Sequence, residues 1–295
     1  MMHPVLAQSL PLIAGAAYAA SALWSKRATM EGGGLWRITF LTNWGQALLL
    51  LPLVFFGNGS ALGGEAVLKI AITSLIFFIG QVVVFAGLRF GDVSVLTPVM
   101  GTKVLGVALM AVGFMHETLP PRWWLAAAIA TFAAALLGGG AVGDRRRVWA
   151  GVAGGLGGAL AFAGVDICFQ LWGGMVGVWR FTSLVMLGMG CWSLLLLPFL
   201  EGPWWRLPVP ARSAFIPSLA MALTQTTLMA YCVVVLNGAA WANLLYSSRG
   251  VWSVVFVWAL GSWFGNRESE IGPGVMTQRL LGSGLLLLAI AIVLY

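Results

Sequence analysis

Charge is what this chain has least of. Only 8% of its 295 residues are Asp, Glu, Lys or Arg and 60% are hydrophobic, whereas soluble domains carry about 25% charged residues. No polar stretch is long enough to form a water-exposed domain. Histidine is almost missing: His3 and His116 are the only two, both near ends of apolar segments. Cys168, Cys191 and Cys232 lie inside apolar runs at no metal-like spacing, so they read as small core residues. Without a His, Cys or acid cluster there is no metal centre to build, and no nucleophile with a positioned base can be assembled. An enzyme is not expected, and neither is a cofactor. No Lys-Ser/Thr follows the closely spaced glycines, so they carry no phosphate-loop signal. A nucleotide-binding domain is lacking as well, which argues against a self-contained ATP-driven pump. The N-terminus, MMHPVLAQSLPLIAG, has no basic n-region, so the first apolar run is expected to be retained. Asn58-Gly59-Ser60 matches a glycosylation acceptor, a pattern short enough to arise by chance.

What is present in abundance is apolar sequence in runs of about 17 to 25 residues, the length of a membrane span. Ten spans are predicted, at about 5–24, 35–57, 66–88, 94–115, 121–141, 149–172, 178–200, 212–236, 239–264 and 276–295. The net charge of +7 sits singly or in short groups between spans, which suits loop charges that set orientation and does not suit nucleic acid. The odd connections hold Lys26, Arg27, Arg37, Arg89, Arg145, Arg146, Arg147, Arg206, Arg212, Arg267 and Arg279, and the even ones hold Lys69, Arg122 and Arg180. That bias places the odd loops in the cytoplasm and both termini outside.

The two halves resemble each other. Leu35-Trp36-Arg37-Ile38-Thr39 opens span two and Val178-Trp179-Arg180-Phe181-Thr182 opens span seven, 143 positions later (180 − 37). Thr73-Ser74-Leu75 with Gln81 matches Pro217-Ser218-Leu219 with Gln225, at 144 (225 − 81). Gly101-Thr102-Lys103 matches Ser247-Ser248-Arg249, at 146 (249 − 103). A near-constant offset argues for duplication. Five spans per copy is an odd number, so the second copy enters the membrane from the opposite side. That is an inverted repeat, whose substrate site lies near the midplane where the halves meet.

Lys103 and Arg249 are the leading site candidates, each roughly ten residues, about 15 Å, from either end of its span. A charge at that depth costs about 2.5 kcal/mol or more, so it needs a partner, a wet cavity or a ligand. Pro98 frees the carbonyl of Ser94, predicting a kink beside Lys103; span nine has no matching proline. Asp166 is the only acid clearly within a span, either a counter-ion to one of the cations or a proton carrier. Gln81 and Gln225 are matched mid-span amides that either contact substrate or tie helices together. Asn43, Asn243, Tyr18, Tyr231 and Tyr246 are further polar candidates, and Trp24, Trp44 and Trp241 are candidate stacking walls. Gly151, Gly154, Gly155, Gly157 and Gly158 predict a close helix contact by span six.

Gly91-Asp92-Val93-Ser94-Val95-Leu96-Thr97-Pro98-Val99, leading to His116-Glu117-Thr118-Leu119 and a following span, resembles the EamA-type repeat of the drug/metabolite transporter superfamily. There a span follows a small polar turn, carries Pro-Val near its start and ends in an acid before the repeat's last helix. The second half departs from the pattern, with Leu244 where Pro98's counterpart would stand and a longer Gly265-Asn266-Arg267-Glu268-Ser269-Glu270 connection. The resemblance implies an all-α integral membrane protein of ten transmembrane helices in two inverted five-helix repeats. These are residues 1–143 and 149–295, joined by a basic linker at 144–148. It implies a multi-pass secondary transporter in the lipid bilayer, in a bacterial cytoplasmic (inner) membrane. YddG-type exporters of aromatic amino acids are among the relatives it suggests. Members of the family usually keep both termini in the cytoplasm, opposite to the loop-charge count. A small metabolite, an amino acid or an organic or phosphorylated anion, is the expected substrate. It would move by alternating access, with a coupling proton or exchanged solute. Substrate-binding residues are expected to be Lys103, Arg249, Gln81, Gln225, Tyr246, Trp24 and Asn43, with Asp166 as coupling or counter-ion residue. The alternatives are a lipophilic-cation or drug exporter working through Asp166, and a non-transporting membrane scaffold or lipid-handling protein.

Overall fold

Uninterrupted apolar sequence in lipid has one simple way to satisfy its backbone, the helix, whose N–H and C=O groups bond within the segment. The computed structural model describes residues 4–57, 61–90, 93–137, 145–260 and 273–294, and every regular element among them is helical. Asn58-Gly59-Ser60, Gly91-Asp92, Asp144, His3 and the 265–270 connection lie outside the described residues.

The helices are α1 (Pro4–Ala28), α2 (Leu35–Leu50), α3 (Gly64–Phe90), α4 (Val93–Met100), α5 (Lys103–Met115), α6 (Pro121–Leu137), α7 (Arg145–Trp172), α8 (Val178–Ser193), α9 (Val209–Val234), α10 (Ala239–Tyr246), α11 (Arg249–Leu260) and α12 (Pro273–Leu294). Six of them, α1, α2, α3, α7, α8 and α9 with their terminal turns, are long and apolar enough to cross a membrane. The outer faces of the helices and their terminal turns carry large apolar side chains, such as Phe55, Phe114, Phe132 and Leu195. Asn43, Thr73, Thr182, Ser183 and Asn243 are buried. Polar groups inside and hydrocarbon outside is the distribution a lipid solvent favours.

Two stretches read as single spans are each divided. Between α4 and α5, the Thr102 N–H donates to Val99 O (3.0 Å) and the Val104 N–H to Gly101 O (3.4 Å), while the Thr102 hydroxyl donates to Val99 O (2.7 Å). Between α10 and α11, the Ser248 N–H donates to Leu245 O (3.1 Å) and the Gly250 N–H to Ser247 O (3.0 Å), while the Ser247 hydroxyl donates to Leu244 O (2.6 Å). Both breaks are tightened turns in which a hydroxyl takes up a carbonyl, so no proline is needed. The first interruption therefore falls at Gly101-Thr102, later than a Pro98 kink at the Ser94 carbonyl predicts. The residue that opens the next helix is Lys103 in one case and Arg249 in the other.

Packing is pairwise: α1 lies against α9, α3 against α7, α2 against α8, and α6 against α12. The divided helices pack on the partners' first helices, α4 and α5 on α7, and α10 and α11 on α1. Glycine makes the closest approaches possible. A Cβ on Gly154 of α7 would stand 2.7 Å from the Gly87 Cα of α3, and one on Gly15 of α1 would stand 2.7 Å from the Ser248 hydroxyl and 3.2 Å from the Tyr246 carbonyl. The glycine row of α7 is thus a helix contact, and Gly15 lets α1 touch the break that precedes Arg249. The largest apolar cluster, including Phe169, Phe181, Val185, Met186 and Val233, fills the space between α7, α8 and α9.

Candidate functional site

Neither cation is placed for helix stability. A helix N-terminus carries the positive end of the backbone dipole and favours anions, yet Lys103 and Arg249 each open a helix. Their surroundings supply what the backbone does not.

Lys103 is buried, and its Nζ stands 2.7 Å from Asp166 Oδ2, an ion pair joining α5 to α7 with side chains 11% and 16% exposed. The same carboxylate oxygen accepts a hydrogen bond from Asn243 Nδ2 of α10 at 2.8 Å, and that amide also donates to the Ala239 carbonyl (2.9 Å). Lys103 is therefore neutralised where it stands. Arg249 has a different environment. Its guanidinium carbon lies 4.9 Å from the Tyr18 ring centroid and 5.0 Å from that of Tyr246, and the two rings meet edge to face at 5.9 Å. Among the described residues Arg249 has no carboxylate within 4.0 Å.

These groups line one cavity of about 470 Å³, within the range of roughly 300–1,000 Å³ typical of small-molecule sites. Lys103, Asp166, Arg249, Gln81, Gln225 and Tyr246 all reach it, joined by Tyr18 and Thr226. The remaining wall is apolar, including Phe77, Phe85, Phe162, Phe169 and Met229, with Phe77 and Phe162 edge to face at 5.7 Å.

The matched amides differ. Gln81 Oε1 accepts from Asn43 Nδ2 (2.8 Å) and Gln81 Nε2 donates to Asn43 Oδ1 (3.2 Å), so each amide occupies the other. Asn43 is buried and is not part of the cavity lining. In the second half Met186 stands 143 positions after Asn43 (186 − 43). Thioether cannot clamp an amide, and the Gln225 side chain makes no hydrogen bond to another described residue. The two leucine variants are expected to separate these roles. Gln81→Leu strands a buried Asn43 and should cost about 1–3 kcal/mol of stability. Gln225→Leu should leave the melting temperature within a degree or so and weaken ligand binding; parallel melting and titration curves check both.

Trp24 lies away from the cavity. It is six residues beyond Tyr18 on α1, about 9 Å along the axis, and packs against the cluster of Ala28, Ile38 and Ala214, with the Arg27 guanidinium 5.9 Å above its ring. Lengthwise rise removes it from the site that Tyr18 shares.

Gln170 is a polar group that inspection of the sequence passed over. Its Nε2 donates to Glu117 Oε1 (2.6 Å), beyond the end of α5, and its Oε1 accepts the Ala239 N–H (2.7 Å) at the start of α10. One amide on α7 thus ties together the outer ends of both divided stretches. Its position four residues after Asp166 put it on the same helix face, and that spacing was the available signal. Among the described residues no group of three or more His, Cys, Asp or Glu is placed to hold a metal.

Residues 6–139 match the EamA-like transporter family. A solved protein crystal structure superposes with a TM-score of 0.69, covering 96% of this chain and 97% of its own, at 17% sequence identity; that likeness concerns the fold. None of the curated proteins matches this chain in sequence.

Proposed function

We propose, from the match of residues 6–139 to the EamA-like transporter family, that this multi-pass membrane protein is a secondary transporter for a small organic anion, held at Arg249. The observation that carries the reading is the asymmetry of the two cations. Lys103 is paired directly with Asp166, whereas Arg249 lies against Tyr18 and Tyr246, hydrogen-bonded to the Tyr246 side chain and with no carboxylate of a described residue within 4.0 Å. A guanidinium has five N–H donors, so one hydrogen bond to Tyr246 leaves others in its plane to receive a carboxylate or phosphate.

Ten crossings in two inverted five-helix repeats, residues 1–143 and 149–295 about a linker at 144–148, account for the packing. Exchanging α1, α2, α3, α4–α5 and α6 with α7, α8, α9, α10–α11 and α12 turns the α1–α9 pair into α7–α3 and leaves α2–α8 and α6–α12 unchanged. Alternating access by rocking of these halves about the cavity is the motion we propose for that arrangement. The Lys103–Asp166 pair joins the first half to the second across the cavity. Asp166 serves there as counter-ion, and its carboxylate is occupied by Lys103 and Asn243, which disfavours a lipophilic-cation exporter. On the sequence resemblance we take the bilayer to be a bacterial inner membrane, with transport driven by a coupled proton or an exchanged solute.

Binding specificity tests the reading. A ligand that binds only the folded state raises the melting temperature by mass action, so the purified chain is screened against organic acids, amino acids, sugar phosphates, nucleosides and lipophilic amines. Shifts from anions, absent in Arg249→Ala, are expected. Shifts from amines alone, lost in Asp166→Asn, would replace the anion reading with the drug-export one.

A further inference from the structure

We infer that the substrate is a monoanion with a bulky apolar body, an aromatic or branched monocarboxylate, and neither a zwitterionic amino acid nor a phosphate ester. The inference rests on the proposed anion site and narrows it. Three ionic side chains reach the cavity among the described residues: Lys103, Asp166 and Arg249. The first two stand 2.7 Å apart and cancel, so the site presents one excess positive charge at Arg249. One elementary negative charge on the ligand neutralises it. A phosphate dianion requires a second cation, and the other one is held by Asp166. An amino-acid ammonium requires an acceptor, and the one carboxylate in the cavity already faces Lys103 and accepts from Asn243. Tyrosine faces are the usual substitute partners for an ammonium, but those of Tyr18 and Tyr246 are occupied by Arg249 itself. Removing an ionic group from water without a partner is costly, so each of these ligands carries a penalty that a plain carboxylate avoids. The walls fix the rest of the ligand. Phe77, Phe85, Phe162 and Phe169, with Met100 and Met229, leave Gln225 as the neutral polar group whose amide is not engaged by another described residue. A short hydrophilic acid would leave most of this surface uncovered.

A set of compounds that share one phenyl-alkyl body and differ in charge isolates the inference: hydrocinnamate, phenylalanine, phenethyl phosphate, phenethylamine and neutral hydrocinnamamide. Dissociation constants are measured for the purified full chain by calorimetry, near neutral pH at fixed ionic strength. Hydrocinnamate is expected to bind about tenfold or more tightly than each of the others, and its binding is expected to be lost in Arg249→Gln. Equal or tighter binding of phenylalanine or phenethyl phosphate would overturn the monoanion assignment and leave the anion site standing. Failure of all five compounds alongside binding of small hydrophilic monocarboxylates would overturn the apolar body alone, and failure alongside binding of sugar phosphates would overturn the monoanion assignment as well. Tightest binding of phenethylamine or the amide would overturn the inference and the anion site together. The Gln variant leaves no buried charge stranded, and its melting curve without ligand verifies that it is folded.

Discussion

Arg249→Gln is expected to abolish anion binding and transport while leaving the unliganded protein as stable as before, or more so. The two halves of this expectation have separate causes. A charge-assisted bidentate contact to a desolvated anion is worth about 2–5 kcal/mol, so the dissociation constant should rise by roughly thirty- to several-thousand-fold. Stability behaves differently because Arg249 has no carboxylate partner among the described residues. It rests against Tyr18 and Tyr246 at 4.9 and 5.0 Å, contacts worth about 0.5–2 kcal/mol that offset part of the cost of holding the cation away from water. Removing it gives up the ring contacts and relieves that cost. A functional residue whose loss does not destabilise is the signature of a site held ready for a ligand. Arg249→Lys keeps the charge and loses the planar fork, and its affinity should fall between the two. Titration and melting of the three proteins, with flux into proteoliposomes, give the comparison; undiminished binding by the Gln variant would remove Arg249 from the site.

Much of this site is legible in the sequence, and the parts that are not share a cause. Lys103, Asp166, Arg249, Gln81 and Gln225 stand out because an ionic or amide side chain in the middle of an apolar span is costly, and all five face one cavity. The 143-to-146 offset between halves is visible because the matched residues are polar against an apolar background. What sequence spacing does not give is which group satisfies which. That Asp166 faces Lys103, that Asn43 occupies Gln81, and that Arg249 meets the Tyr18 ring are facts about neighbours far apart in the chain. The same limit explains Trp24, whose residue type suits a binding wall but whose place near the end of α1 puts it against the cluster of Ala28, Ile38 and Ala214. The helix breaks were only half readable. Proline is a strong local signal, while Thr102 and Ser247 act through hydroxyls that donate to carbonyls of the preceding turn, and most serines and threonines in helices do this without a break.

The second large effect belongs to the ion pair, and it has the opposite character. Asp166→Leu and Lys103→Met are each expected to destabilise the protein by about 3–5 kcal/mol, because each leaves one buried charge without its partner. Asp166→Asn should do less harm to neighbouring contacts, since its amide oxygen still accepts from Asn243 Nδ2, yet it also strands Lys103. Lys103→Met/Asp166→Leu removes both charges and fills similar volume, so the double variant should recover most of the lost stability, the behaviour of buried pairs replaced by apolar side chains. A double-mutant cycle on melting or denaturant midpoints reads the coupling directly. The same variant separates two roles for the pair. Removing equal and opposite charges leaves the cavity's single excess charge on Arg249, so anion affinity should stay within about tenfold of the parent. If transport also survives, the pair is a counter-ion arrangement that shelters Lys103. If binding survives and flux in proteoliposomes stops, the pair acts in the passage between states, as its position between α5 of the first half and α7 of the second suggests. Additive losses in the cycle, with no recovery in the double variant, would contradict the pairing itself.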